Sequence, residues 1–129
     1  DAHEALSTVL AAPDSYAVAL ASTGEIVGSI ALRIDADTTD GTVADIGYWI
    51  GAPYWGNGYA TEAGHAIIER ARELGVSTII LKYFDGNEAS RRVSEKLGFT
   101  WRSREEDVEY PLIGQRLTVH RTELALTAR

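Results

Sequence analysis

Residues 54–64 read YWGNGYATEAG, and this glycine-rich turn joins an aromatic pair to a segment with helical periodicity. The apolar residues that follow recur at steps of three and four, which predicts an amphipathic helix through Ala60, Ala63, Ile67, Ala71 and Leu74. Gly75 stands where a C-terminal helix cap belongs. A glycine turn that opens a helix presents backbone N–H groups, which can bind an anion such as a phosphate.

A strand is predicted on each side of this helix. Residues 42–50 alternate so that Asp45, Gly47 and Trp49 share one face, with Ile46 on the other. Residues 77–84, STIILKYF, form a near-continuous β-branched run, which is typical of a strand buried on both faces. A strand, a helix and a strand in this order predict a right-handed parallel crossover.

The remaining segments extend this crossover into a larger sheet. Outside it we predict a helix over residues 1–12 ended by Pro13, a hairpin of strands 16–21 and 25–34, a polar loop over 35–41, a helix from Asn87 to Gly98, and two final strands. The predicted fold is therefore α+β in three layers, with a mixed, mostly antiparallel sheet, a central β-α-β crossover and helices on both faces. We expect one domain over residues 1–129.

Composition excludes several function classes. The net charge of −7 argues against a nucleic-acid partner and is compatible with cationic substrates such as amines. The chain has no cysteine, and its three histidines lack metal-ligand spacing, so we expect no metal. No stretch resembles a membrane span or a signal peptide, so we expect no membrane partner and a cytoplasmic location.

Three kinds of phosphate-binding loop compete for the glycine turn. A P-loop needs a lysine after the second glycine, and Gly58 is followed by tyrosine. A dinucleotide-binding fingerprint needs a third glycine, which is absent. A loop that cradles a pyrophosphate at the helix N-terminus fits best. The alternative that Gly56 and Gly58 only turn the chain remains open.

Two runs carry a family resemblance. The run ADIGYWIGAPYWGNGYATEAGHAI, followed by DGNEASRRVSEKLGF, resembles the GNAT N-acetyltransferase superfamily, most closely its ribosomal-protein N-terminal acetyltransferase branch. The resemblance covers most of residues 16–126. It implies an acetyl-CoA-dependent N-acetyltransferase whose acceptor is a primary amine, either a protein N-terminus or a small amine. The alternative is a CoA- or acyl-CoA-binding module with little or no turnover.

The resemblance also implies an acetyl-CoA site. Backbone amides would bind the pyrophosphate, helped by the Thr61 hydroxyl: those of Trp55, Gly56, Asn57, Gly58, Tyr59 and Ala60. The strand around Trp49 and Ile50 would pair with the pantetheine arm, and the thioester would enter between GYWI and ILKYF. Asn87 would contact the pantetheine or a phosphate, or would only cap its helix.

Two residues are candidates for the acid–base chemistry. Asp45 takes the place of a common family glutamate and would accept the amine proton directly or through water, unless it is simply a solvated carboxylate. Ser90 would contact the cofactor and protonate the leaving thiolate, unless its hydroxyl only bonds the Asn87 backbone. Ser94 stands where many relatives place a tyrosine acid. A backbone N–H of the GYWI strand would stabilise the thioester oxygen.

The acceptor side is less clearly marked. We expect Trp49, Tyr54 and Tyr110 to contact the acceptor, with Tyr48 in the core. The family usually begins with a strand and helices that shape this pocket, and we expect this sequence, which starts at Asp1 without methionine, to lack them. The strand over 16–21 would then have an unpaired edge, which predicts a possible homodimer.

Overall fold

The computed structural model describes residues 6–12, 14–38 and 41–126, which form a seven-stranded sheet and two α-helices. The strands are β1 (Leu6–Ala12), β2 (Ser15–Leu20), β3 (Ile26–Thr38), β4 (Gly41–Ile50), β5 (Val76–Phe84), β6 (Thr100–Tyr110) and β7 (Gln115–Ala125). The helices are α1 (Tyr59–Glu73) and α2 (Glu88–Lys96), and a short 3₁₀ turn spans Ala52–Tyr54. The strand order is β1-β2-β3-β4-β5-β7-β6. Only the β4–β5 pair is parallel, so the mixed, mostly antiparallel sheet with a central crossover is confirmed.

Both helices begin and end where the sequence predicts. Gly58 precedes α1 and Gly75 follows it, with φ angles of 77° and 78° that favour glycine. Asn87 caps α2 by accepting a hydrogen bond from the Ser90 backbone N–H at 3.1 Å. No helix in the described part of the chain is long and apolar enough to cross a membrane.

The two helices pack on the same face of the sheet. Ile67 of α1 and Leu97, which follows α2, belong to one core cluster with Ile46 and Leu81 of the central strands. Gly64 allows α2 to approach α1, because a Cβ atom there would lie 2.6 Å from Cδ1 of Leu97. The described residues place no helix on the other face, which we call the open face.

The prediction of a helix over residues 1–12 is wrong for the part that the structure describes. Residues 6–12 form β1, which pairs antiparallel with β2 from Leu6–Leu20 to Ala12–Ser15, while residues 1–5 lie outside the described residues. A strand edge with unpaired N–H and C=O groups outweighs a weak helical spacing. The prediction of helices on both faces is wrong for the described residues, because α1 and α2 lie on the same face and residues 6–12 form a strand. The β2 edge is paired, which removes the reason given for a homodimer.

Two smaller differences follow from strand pairing. The predicted loop over 35–41 is shorter, because β3 continues to Thr38 and pairs with β4 up to Gly41, with an irregularity between Ile34 and Ala36. The β5 strand is buried on both faces only in its middle. There Ile79 and Leu81 face the helices and Ile80 faces the open side, whereas Lys82 is exposed.

Candidate active site

The glycine loop is fixed to the end of β4 by hydrogen bonds. The Gly51 N–H donates to the Val27 carbonyl at 2.8 Å, which attaches the start of the loop to β3. The Trp55 indole Nε1 donates to the Ile50 carbonyl at 2.6 Å, although this side chain is 70% exposed. Asn57 Nδ2 donates to the Tyr54 carbonyl at 3.0 Å. These contacts attach the loop to β3, to the end of β4 and to the 3₁₀ turn.

The same loop leaves a row of backbone donors free. Gly56 and Gly58 have φ angles of 82° and 77°, and a Cβ atom at either position would meet nothing within 4 Å. Within the described residues, none of the N–H groups of 56–61 donates to a backbone acceptor, and the first such donor of α1 is Glu62, to Gly58. Free N–H groups at a helix N-terminus, with space beside them, are suited to a phosphate group.

The sheet divides beside this loop. The parallel pairing of β4 and β5 runs from Thr42–Val76 to Ile46–Leu81 and then stops. Beyond it, β4 stays paired with β3 as far as Ile50, and β5 stays paired with β7 as far as Phe84. Residues 47–50 and 82–84 therefore border a gap between two strands that no longer bond to each other. The separation predicted between GYWI and ILKYF is confirmed.

On the helix side of this gap, α2 and β4 meet through two hydroxyl groups. The Ser90 Oγ and Tyr48 Oη atoms lie 2.7 Å apart, and either can donate. The Ser90 hydroxyl thus bonds to a side chain on β4, and its backbone N–H bonds to Asn87 Oδ1. Burial raises the pKa of Tyr48 above its usual value, partly offset by the Ser90 hydrogen bond. Tyr48 is half-buried against the core, as predicted, but its hydroxyl reaches the site.

On the open face, β4 presents the other candidate residues. Asp45 forms an ion pair with Arg33 of β3, with Asp45 Oδ2 and Arg33 Nη2 3.0 Å apart. Gly47 is the next residue on this face, and a Cβ atom there would meet nothing within 4 Å. Trp49 follows and is 62% exposed. The open face of β4 therefore offers a carboxylate, an empty position and an aromatic ring in sequence.

The two other predicted acceptor contacts lie at the rim. Tyr54 is half-buried, and a hydrogen bond with Glu25 raises its pKa. Tyr110, at the end of β6, packs edge-on against Phe84 at the end of β5, with ring centroids 5.2 Å apart. The structure thus brings the glycine loop, Trp49 and Ile50 together, sets Asn87 and Ser90 on the helix side, and puts Asp45 on the opposite face.

Sequence reasoning missed two side-chain arrangements. The sequence indicates only a core position for Tyr48, and no local pattern links it to a serine 42 residues later. His120 is one of the three histidines without metal-ligand spacing, and in the structure it accepts a hydrogen bond at Nδ1 from Trp101 Nε1 at 3.0 Å and lies with Nε2 2.8 Å from Asp85. The hydrogen bond between His120 and Asp85 lowers the pKa of Asp85. The described residues contain no cluster of three or more His, Cys, Asp or Glu side chains that could hold a metal ion.

For Arg91 the sequence offers two interpretations, and the structure favours the simpler one. The sequence allows it either to meet a phosphate or to belong to a solvated helix face. In the structure its guanidinium binds Glu88 at 2.6 Å and Glu95 at 2.9 Å. These carboxylates occupy its donors, so the solvated helix face is the better description.

Comparisons with known proteins agree with this geometry. The family model described as the acetyltransferase (GNAT) domain matches residues 1–100. YkkB, an uncharacterized protein of Bacillus subtilis, is 37% identical over 79 residues, which are 59% of this chain and 44% of YkkB. The ribosomal-protein-S5-alanine acetyltransferase of Vibrio fischeri matches with a TM-score of 0.76 at 20% identity, over 86% of this chain and 60% of the other. The yncA structure of Salmonella typhimurium, which contains acetyl-CoA, matches with a TM-score of 0.77 at 18% identity, over 89% and 65%.

These matches differ in what they establish. The two solved structures, at 20% and 18% identity, show the fold alone. The chain matches less than half the length of YkkB. The family model, in contrast, covers most of the sequence and includes the glycine loop and α2. The chain belongs to the GNAT acetyltransferase family.

Proposed function

We propose that this chain is an acetyl-CoA-dependent N-acetyltransferase that acts on a primary amine, either a protein N-terminus or a small amine. The observation that carries the proposal is the row of free backbone N–H groups over residues 56–61, next to the gap between β4 and β5. The CoA pyrophosphate would lie on this row, at the positive end of the α1 dipole. The pantetheine arm would follow the gap past Trp49 and Ile50.

Other polar groups suit the same ligand. Asn87 uses Oδ1 to cap α2, and its Nδ2 has no hydrogen bond to the described residues, so it is available to a carbonyl or phosphate oxygen. The Thr61 hydroxyl stands in the first turn of α1. The two glycines leave the approach open where any other residue would place a Cβ atom. These features favour a ligand with phosphates at one end and amide groups along its arm.

The amine would approach from the open face. A cationic amine is attracted to the Asp45 carboxylate and to the ring face of Trp49, and Gly47 leaves room between them. Asp45, directly or through water, would take the proton that the amine must lose. A backbone N–H of 47–50 would stabilise the thioester oxygen. Ser90 would protonate the sulfur from the helix side, so the base and the acid would lie on opposite faces of the sheet.

One observation favours the second candidate, a CoA- or acyl-CoA-binding module with little turnover. The Arg33 guanidinium is 3.0 Å from the Asp45 carboxylate, and an engaged carboxylate is a poorer proton acceptor. The two candidates differ in one readily measured property. An acetyltransferase releases CoA from acetyl-CoA when a panel of primary amines is added, whereas a binding module does not.

The first experiment is a calorimetric titration with acetyl-CoA of the parent protein and of Gly58→Glu. A glutamate at this position brings a negative charge to where the phosphates would lie. The control is Gly75→Glu. Gly75 has nearly the same φ angle as Gly58 and the same open space beside it, and it lies at the opposite end of α1. A negative charge near a helix C-terminus is less favourable than one near the N-terminus, so the control is the more demanding substitution for stability.

We expect the parent and Gly75→Glu to bind acetyl-CoA and Gly58→Glu to lose binding. A folded parent that does not bind acetyl-CoA would rule out both candidate functions. Equal affinity in Gly58→Glu would remove the loop from the site and leave the position of the ligand to be reassigned.

The remaining proposals follow from the donor and from charge. We propose the cytoplasm as the compartment, because acetyl-CoA is made and used there. The chain would act as a single domain over residues 1–129. The net charge of −7 favours a cationic acceptor over nucleic acid.

A further inference from the structure

One hydrogen bond lies on the helix side of the gap that the pantetheine arm would enter, and it joins β4 to α2. Tyr48 lies two residues beyond Ile46, the last β4 residue that pairs with β5. Ser90 lies in the first turn of α2, and its Oγ is 2.7 Å from Tyr48 Oη. A group that passes through the gap on the helix side therefore meets this hydroxyl pair.

The pair has one proton more than its own hydrogen bond uses. Each hydroxyl carries one hydrogen, and only one of the two lies between the oxygens. Either hydroxyl can donate; because a phenol is a stronger donor than an aliphatic alcohol, we take Tyr48 as the donor, which leaves the Ser90 hydrogen free. A phenol with its usual pKa is already protonated at neutral pH, and burial, partly offset by the Ser90 hydrogen bond, raises the pKa of Tyr48 further.

We propose that Tyr48 is the positioning residue for the acid of the reaction: its hydroxyl donates to Ser90 Oγ and directs the Ser90 proton toward the leaving sulfur. This inference rests on the proposed acetyl transfer. It assigns a role in the reaction to a side chain that the core accounts for only in part.

The proton transfer balances within the pair. As the amine nitrogen bonds to the acetyl carbon, the carbon–sulfur bond breaks and its electrons go to the sulfur. The Ser90 proton moves to the sulfur, and the Tyr48 proton moves to Ser90. The resulting phenolate accepts a hydrogen bond from Ser90 and regains a proton from water after CoA leaves. A lone serine would have to become an alkoxide, which is a much stronger base than a phenolate.

The test uses CoA itself and needs no acceptor. If the pair donates to sulfur, it favours bound thiolate over bound thiol, so the affinity for CoA rises between pH 7 and pH 9. Desulfo-CoA, which lacks the sulfur, corrects for all other pH effects. Both ligands are titrated calorimetrically against the parent, Tyr48→Phe, Ser90→Ala and the double variant. Tyr16→Phe is the control, since Tyr16 is another partly buried tyrosine that packs against the core, and it lies on β2 away from the gap.

We expect the pH-dependent gain of CoA over desulfo-CoA in the parent and in Tyr16→Phe. The gain should fall by roughly tenfold in Tyr48→Phe and in Ser90→Ala, the size expected for a hydrogen bond to a charged group. The double variant should lose no more than either single one, because Tyr48 acts through Ser90. Ser90→Ala tests the pair independently if Tyr48→Phe does not fold.

The possible failures are distinguishable. A parent that binds neither CoA nor desulfo-CoA overturns the proposed function and this inference with it. A parent that binds both but shows no gain for CoA at pH 9, or a Tyr48→Phe variant that keeps the full gain, overturns the role of Tyr48 and leaves the proposed function intact.

Discussion

Gly28 of β3 lies so close to Trp49 of β4 that a Cβ atom on Gly28 would overlap the Trp49 carbonyl oxygen. The overlap involves backbone, which cannot rotate away as a side chain can. Gly28 pairs with Ile50, at the end of β4 that borders the gap. The shape of the candidate site therefore depends on a glycine in the neighbouring strand.

This close approach predicts that Gly28→Ala reduces both stability and acetyl-CoA binding. Because the end of β4 would have to move, we expect a loss of roughly 1–3 kcal/mol in the free energy of unfolding. Urea denaturation and acetyl-CoA titration measure the two effects. Gly47→Ala is the matched control for the stability measurement alone, because its Cβ atom would meet nothing within 4 Å, whereas residue 47 itself borders the gap. Equal stability of the two variants would contradict the close approach.

The Asn57 side chain predicts how far the loop is preorganised. Asn57→Ala removes the 3.0 Å hydrogen bond to the Tyr54 carbonyl, so binding would have to order the loop. We expect acetyl-CoA to bind about fivefold more weakly, equivalent to about 1 kcal/mol. Thr23→Ala, which removes a similar bond to the Glu25 N–H in another turn, should leave the affinity unchanged. Equal effects of both substitutions would show that only general stability matters.

Asp45→Asn tests the proposed base. If Asp45 accepts the amine proton, we expect acetyl transfer to fall by about 10²–10⁴-fold while acetyl-CoA affinity is preserved. Glu123→Gln is the control, since Glu123 pairs with Ile80 on the same open face and has its own arginine partner, Arg121. Unchanged turnover in Asp45→Asn would assign proton removal to water.

The pair of Asp85 and His120 predicts a stability difference that depends on pH. The hydrogen bond from His120 lowers the pKa of Asp85 below its usual 3.8. A lowered carboxyl pKa stabilises the fold above the unfolded value, and this contribution is lost as the pH falls through the lower folded value. The melting temperature of the parent should therefore exceed that of Asp85→Asn at pH 7, and the difference should close below about pH 3.8.

A His120→Phe background provides the control for this pair. Without His120, the largest cause of the lowered Asp85 pKa is removed and only the charge of Arg104 still lowers it, so Asp85→Asn should have a smaller effect there than in the parent background. A difference that persists at low pH in the parent background would show that the carboxyl charge is not its cause.

The central part of the fold could be predicted from sequence because its signals are local. The α1 periodicity, the glycines at its ends and the Asn87 cap each act within a few residues. Residues 6–12 could not be assigned in this way. Their apolar spacing fits a helix, and it is the open edge of β2 that makes them a strand. Partners distant in sequence outweigh weak local preferences.

In the candidate site too, local features could be predicted from sequence and contacts between distant residues could not. The glycine loop was found because one contiguous stretch provides both its turn and its helix start. The Tyr48–Ser90 and Asp85–His120 contacts join residues 42 and 35 positions apart, which no spacing pattern reports. The ion pair of Asp45 with Arg33 depends on the β3–β4 register. Such contacts become visible only once the strands are aligned.

The parallel pairing of β4 and β5 covers only residues 42–46 and 76–81, so the sheet consists of two parts joined by this short ladder. Strands β1–β4 form one part, and β5, β7 and β6 form the other. A ligand arm bound between residues 47–50 of β4 and 82–84 of β5 would replace the missing hydrogen bonds between these strands with bonds to its own amides. The ligand would then act as an eighth strand, and the sheet would be complete only when it is bound. The amide hydrogens of residues 47–50 and 82–84 should therefore exchange with solvent more slowly when acetyl-CoA binds, whereas the exchange of those in the paired segments 42–46 and 76–81 should change little.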